Sequence, residues 1–502
     1  MKKHAPLVLL VLMLLLQQIN YAQSKLSIDN INSVYLRNSG PIIAAEEIKG
    51  YYLFYQSDKI DKHTNEYTLQ ILDENLNKVK NIKFTDSKNI LLMESSYNGS
   101  DIMFMFYDLD NEQMDYRTYG LDGKQKYRYQ QPIDKKSKEY IAKYFASFQK
   151  SEEPQSKFLY GIEDKGFVTP ILMREGNGFT YQVHFYETDQ KKEWTYIPDG
   201  AQKIQTPQFL GYSDSVVVFE VLKRTNLFSN KMESWLLGIY LHNGKKAFEF
   251  ETNSDKYTFF PMNVAALRSK DQFMLMGTYY DKDDKLIFDK SLGLCTWVLN
   301  NQGKLIYTKY NSWTGDISKY LKLDSRGWAE DLGYIFFHKL MQSEDGKIFA
   351  VGEGYKSNLT NTKITDMVML QFDNKFEIQN AQIFAKNSNK VDGAGGSFSS
   401  SPQLMGYAIK YLYDGFDYAF SQTDKSHSTF VVGYTDYVRS NDYKGLTFNA
   451  ISYYNNNFTT DKINLKSSSS SMRILPAKTG SIMVLEYFKK DKRLDMRLEK
   501  IN

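Results

Sequence analysis

IMVLEYFKKD from Ile482, followed by KRLDMRLEKIN to Asn502, is the last of eight copies of one pattern, and it stops one strand short. The earlier copies are YYLFYQSDK from Tyr51, IMFMFYDLD from Ile102, FVTPILMRE from Phe167 and VVVFEVLKR from Val216, then FMLMGTYYDKDD from Phe273, IFAVGEGYK from Ile348 and TFVVGYTDY from Thr429. Each run of aliphatic, aromatic and β-branched residues leaves a Gly or Asp turn and ends in a charged one, the mark of a strand buried on both faces. A second strand follows. Then comes a turn such as LDGK (121–124), LHNGKK (241–246) or NNQGK (300–304), where positive φ at central positions favours Asn, Asp and Gly. A third strand usually comes next, and a short strand such as TPQFLGYS or MRILPAK stands before each copy.

Four short strands joined by hairpins make one blade of a β-propeller. Repetition therefore replaces the two or three domains that length alone suggests. KLSIDNINSVYL (25–36) has no unit of its own. It is predicted to supply the outermost strand that the last copy lacks, which closes the ring and removes two exposed edges. The expected fold is all-β, an eight-bladed propeller with short helical insertions; seven blades plus an edge extension is the alternative.

Three insertions lengthen the bare unit, at 131–156, 311–333 and 387–403. In the first, KEYIAKYFASFQK (138–150) sets Tyr140, Ile141, Tyr144, Phe145 and Phe148 on one helical stripe. The stretch 316–340 has a weaker helical pattern, and NSNKVDGAGGSFSSSPQ (387–403) is expected to be a Gly/Ser-rich loop.

Lys2, Lys3, the apolar run LVLLVLMLLL (7–16) and Tyr21-Ala22-Gln23 read as a secretory signal peptide cut after Ala22. The residue three before the cut is Asn20 rather than a small one. The run is too short to span a bilayer. Residues 23–502 are then one propeller domain, expected in the periplasm, on the outer envelope or outside the cell, with no transmembrane segment. The single cysteine, Cys295, forms no internal disulfide; in LGLCTWVL it is expected to be a small buried hydrophobe. Lys and Arg number 63 against 59 Asp and Glu, a net charge of +4 with both signs interspersed. That balance argues against a nucleic-acid partner, which needs a basic field.

Asp345-Gly346-Lys347-Ile348-Phe349-Ala350-Val351-Gly352 is similar to the hairpin entry of many bacterial propeller repeats. With the signal peptide, the eight units and the tyrosine-rich body, the chain resembles uncharacterised exported β-propeller-like proteins of Gram-negative bacteria. The resemblance is architectural and brings no active-site motif. Ser343-Glu344-Asp345-Gly346 has the wrong spacing for a sialidase-type Asp box, and no Thr-Trp follows it.

His63, His184, His242, His338 and His427 fall in different repeats, and no pair has a metal-ligand spacing. The nucleophile elbow Gly-x-Ser-x-Gly is absent. Asp108, Asp110 and Glu112, and likewise Asp281, Asp283 and Asp284, are spaced to suit a cation. Neither set has the full calcium-loop pattern, and both are read as solvated turns. GAGGS (393–397) is read as a flexible loop. Trp235 and Trp297 are expected in the core. Trp313 and Trp328 flank an insertion, which they are expected to pin to the ring rather than stack on a ligand.

No catalytic, cofactor-binding or metal-binding residue is assigned. The reading is a non-catalytic binding or scaffold propeller that recognises a protein, peptide or glycan through its insertions, since function on rigid scaffolds concentrates in loops. The alternative is a glycoside hydrolase or lyase with carboxylates converging on the central channel.

Overall fold

A computed structural model describes residues 24–44, 46–133, 138, 157–175, 178–188, 192–199, 204–226, 229–266, 272–357, 361–392, 400–465 and 467–501. The signal peptide and, Lys138 apart, the helix read at 138–150 lie outside these residues.

The strands fall into eight antiparallel sheets, successive in sequence and each four-stranded along its main path. The innermost strands are Gly40–Ala44, Ile90–Tyr97, Tyr160–Ile162, Ile204–Tyr212, Tyr257–Ala266, Tyr334–Gln342, Tyr418–Thr423 and Ser471–Pro476. Neighbouring blades touch all the way round the ring. The second strand of each blade carries the sequence copy. In blade two, Asp101–Asp108 is buried along its whole length, because blades one and three cover both its faces. Cys295 lies in the core between blades four and five with Phe259 and Trp297, and burial pushes its thiol up. Trp235 is half-buried.

The ends close the ring as the truncated eighth copy requires. Lys25–Ile28 pairs antiparallel with Arg493–Lys500, Lys25 opposite Arg497 and Ile28 opposite Leu494. The ladder extends through Ile31 N–H to Lys492 O (2.8 Å) and Leu498 N–H to Ser24 O (3.0 Å). Ile28, Ile31 and Leu36 enter the core between blades eight and one beside Leu485, Leu494 and Met496. The seven-bladed alternative falls. Tyr487 Oη donates to the carbonyls of Ile31 (3.1 Å) and Asn32 (3.2 Å). Tyr487→Phe should lower stability by about 1 kcal/mol, read as a shift of the urea midpoint with unchanged slope.

Two expectations about the insertions are corrected. The 316–340 stretch holds only a short 3₁₀ turn, Ile317–Lys319, and Tyr334–Gln342 is the innermost strand of blade six. Its pairing skips from Phe337 to Lys339, leaving His338 as a bulge. The extra residue breaks the alternation and places Phe336, Phe337, Leu340 and Met341 at helix-like spacing. The 387–403 stretch is not loop throughout. Asn389–Asp392 adds a fifth strand to blade six, and a ten-residue helix, Pro402–Tyr411, begins inside it. Ser401 Oγ caps the helix by accepting from Leu404 N–H (3.4 Å), with Pro402 in the first turn.

Each blade runs outward from the axis, so the link from one outermost strand to the next innermost strand always leaves on the same face, here called the upper face. The hairpins between second and third strands turn there too. All three insertions are links of this kind, so their described ends leave and re-enter the ring on the upper face. No helix among the described residues is long and apolar enough to cross a membrane.

Candidate functional site

The helix Pro402–Tyr411 crosses the mouth of the central channel on the upper face. Ser401 N–H donates to Ile287 O, Thr278 Oγ1 meets Gln403 Oε1 at 3.4 Å, and Tyr355 Oη donates to Pro402 O. These anchor its start on blades five and six. Farther along, Tyr407 Oη reaches Pro261 O (3.4 Å), and Gln208 Nε2 of blade four donates to Tyr411 Oη (3.0 Å). Met405 and Ile409 sink into a core with Phe336, Phe416, Trp313 and Leu321. Trp313, with Nε1 on Ser291 Oγ (3.1 Å), does pin its insertion to the ring; Trp328 is half-buried with its ring 5.0 Å from that of Tyr334.

Beside the helix lies a cavity of about 350 Å³. Met105, Met114 and Phe158 form one wall, Leu172, Phe209 and Leu222 another, and Leu404 and Tyr407 of the helix the third. Lys157 borders this cavity and also a second, of about 320 Å³, between the innermost strands of blades one to four.

The innermost strands supply the charges. Five carry a one-residue bulge: Met93, Leu210, Met262, His338 and Ala419 are each skipped by the pairing. A bulge re-aims the side chain that follows it. In blade five that residue is Asn263, whose Nδ2 donates to Phe337 O of blade six (3.1 Å). In blade two it is Glu94, buried, with Oε2 accepting from Phe158 N–H (2.7 Å). In blade six it is Lys339, exposed to solvent.

Burial raises the Glu94 carboxyl to about 7, against the pull of Phe158 N–H and Lys157. The lysines move the opposite way. Lys410, on the helix, is lowered to about 8 by burial and then by Lys339; its Nζ lies 5.3 Å from the centre of the Phe336 ring. Lys339 is lowered by burial and then by Lys157. Lys157 is lowered by burial, with Glu94 opposing. Lys157 and Lys339 keep solvent-accessible surface although protein surrounds them, as side chains lining a channel do. None of the three makes an ion pair among the described residues.

Other candidate groups lie elsewhere. Asp108 Oδ1 accepts the N–H of Asp110 and of Asn111 in its own turn, and Asp284 sits 3.5 Å from Arg326 Nη1. His184 is buried on Thr195 and lowered to about 4 by burial; His427 pairs with Glu46 (3.0 Å). Arg117 joins Asp86 and Asp115 and Arg497 joins Glu486 and Glu499; the most deeply buried pair of this kind is Glu353 and Asp417, at the junction of blades six and seven. Lys386 Nζ bridges them at 3.1 and 2.6 Å, all three buried or nearly so. Glu353 also accepts the N–H of Asp417 and Tyr418 (3.2 Å each), and His338 stacks on Tyr418 beside it. This cluster is closed by its own ion pairs and faces neither cavity.

The sequence reading did not single out Lys157, Lys339, Lys410 or Glu94. The signal for two of them is a lone charge inside an apolar innermost strand: Lys339 in YIFFHKLMQ and Glu94 in ILLMESSY.

An eight-bladed propeller with a helix over a cationic channel mouth defines the class of protein. Its sequence matches the model of a family of unknown function, DUF6770, over residues 1–361 and 356–502, and the chain belongs to that family. No curated protein matches the sequence. Among solved structures, it is similar to a post-proline cleaving enzyme from Rickettsia typhi at 9% identity and a TM-score of 0.39, over 88% of this chain and 56% of that one. It is similar to the β-propeller domain of the trilobed protease from Pyrococcus furiosus at 10% identity and a TM-score of 0.37, over 84% and 93%. The WD40 domain of SCAP from fission yeast matches at 6% identity and a TM-score of 0.36, over 94% of both chains. The chain thus spans little more than half the length of the Rickettsia enzyme.

Proposed function

We propose that this is an exported, non-catalytic binding propeller that takes a protein, peptide or glycan on its upper face. The supporting observation is where apolar surface is left uncovered. Of the fifteen large apolar side chains exposed among the described residues, eight lie on the upper face and two, Ile43 and Tyr454, near the opposite one; the other five are on outermost strands. The eight include Phe288, Tyr320, Leu412 and Tyr413, which surround the inserted helix. Exposed apolar side chains that stand together mark an interaction surface, and Leu412 and Tyr413 are adjacent at the end of the inserted helix. Export rests on the N-terminal signal sequence.

The triple variant Y320S/L412S/Y413S tests the reading. Its thermal midpoint should stay within about 1 °C of the parent, because exposed positions contribute little to stability. Columns of the parent and the variant are compared on envelope extract, and both proteins are applied to a glycan array. A species retained by the parent and lost by the variant supports the reading; equal retention by both, or none by either, overturns it.

A further inference from the structure

Three lysines, Lys157, Lys339 and Lys410, gather at the inserted helix. Glu94 lies beside Lys157, Glu46 and Glu163 share the second cavity with it, and Glu220 is buried near Tyr407. No acid pairs with any of the three lysines among the described residues. Like charges repel, and Lys339 is the one lysine in a largely apolar strand, directly after His338. Arg473, which also faces this region, is engaged: its Nη1 donates to the carbonyls of Leu36 (2.6 Å) and Arg37 (2.8 Å). Lys157, Lys339 and Lys410 have no such partners among the described residues, and Glu94 is buried on Phe158 N–H. Lys157 therefore brings an unpaired positive charge to the rim of a cavity whose walls are mainly apolar, with Thr206 and Gln208 among the polar exceptions.

We propose that the channel mouth binds an amphipathic anion, with its apolar body in the cavity beside Leu404 and Tyr407 and its carboxylate held by Lys157 and Lys339. Lys410 adds attraction from the helix side. The cavity volume falls in the range of small-ligand sites, where apolar walls supply contact and a few polar groups fix orientation. The chemistry recognised, a carboxylate on an apolar body, is common to a free small acid and to the C-terminus of a peptide. This inference rests on the upper-face binding reading and specifies its ligand.

The test is calorimetric titration of the protein at low salt with two matched pairs of probes. Octanoate is compared with 1-octanol, and N-acetyl-Leu-Phe with its C-terminal amide. At least one acid should bind tenfold or more tighter than its neutral counterpart. The variant Lys157→Met/Lys339→Met should abolish that preference and leave the neutral probe within about twofold. Methionine keeps the stem and removes the charge, so the variant's thermal midpoint should be unchanged or raised. Preference for octanoate assigns a small acid; preference for N-acetyl-Leu-Phe assigns a chain terminus. Equal binding of acid and neutral probes, a preference that survives the double variant, or no binding of either acid overturns the inference. The capture experiment is independent: its failure with the acid preference intact removes the macromolecular partner and leaves the anion site.

Discussion

Replacing Lys386 by methionine should cost about 3–5 kcal/mol of folding stability, because it leaves two carboxyl groups buried without a counter-ion. Lys386 is fully buried between Glu353 and Asp417. These groups tie the second strand of blade six to the first residues of blade seven, so the loss falls on an inter-blade contact. The sign of the pH dependence follows from the carboxyls. Burial raises Asp417 to about 7, with Lys386 opposing and Glu353 adding to the rise; Glu353 is raised as well, by burial first. An acid whose folded value lies above its unfolded one contributes stability that is full at low pH and is lost as pH rises through the folded value. Without the lysine both carboxyls are pushed higher still. The cost of Lys386→Met should therefore be larger at about pH 8, where ionised forms must be buried, than at about pH 5, where protonation relieves them. Urea unfolding at the two pH values measures it. A cost under about 1 kcal/mol at both would show that the ion pairs do not hold this junction. The triple variant K386M/E353Q/D417N removes the stranded charges and should recover much of the loss, which separates charge burial from lost packing.

What could be read from residues alone divides along physical lines. A strand buried on both faces needs an unbroken apolar run, and the eight runs were legible because nothing else explains VVVFEVLKR or IMVLEYFKKD recurring between Asn- and Gly-rich turns. The closure was legible as a deficit: one strand missing after Lys500 and one strand spare at Lys25. The bulges were not. A single unpaired residue such as His338 breaks the period of two, and the stretch 316–340, which ends inside this strand, takes on a helical pattern for that reason. The helix Pro402–Tyr411 was missed because its anchors, Ile287, Tyr355 and Gln208, come from three other blades. The candidate site was illegible for the same reason. Lys157, Lys339 and Lys410 are far apart in sequence, and only the ring brings them to one opening. Lys386 looked like any surface lysine in FAKNSNK; that both its carboxylate partners lie within reach is a property of the blade junction.

Deleting residues 24–34 should be about as damaging as breaking the buried ion pairs, and stapling the same strand in place should do the reverse. The deletion removes Ile28 and Ile31, buried in the core between blades eight and one; at ~2–3 kcal/mol for each buried side chain, that is a loss of about 5 kcal/mol. It also strips the partner from Arg493–Lys500 and exposes that strand's edge to other chains. The shortened protein should unfold at lower temperature and form sedimenting aggregates that the parent does not. In the staple, Ser27 and Asp495 are direct partners across the closing pair, and partners opposite each other in an antiparallel ladder lie within the Cα separation a disulfide spans. S27C/D495C ties together residues at opposite ends of the described chain. A loop this long removes much unfolded-state entropy, so about 3–5 kcal/mol of stabilisation is expected, reversed by reductant. Buried Cys295 should not compete for the bond. Asp495 gives up only a part-exposed pairing with Arg493, a small loss. The two variants bracket one claim: the ring is held shut where its ends meet, and opening that seam is a major step in unfolding. A deletion that leaves the thermal midpoint in place, or an oxidised staple that forms in full without raising it, would mean that the ring is held by its blade-to-blade cores and not by its seam.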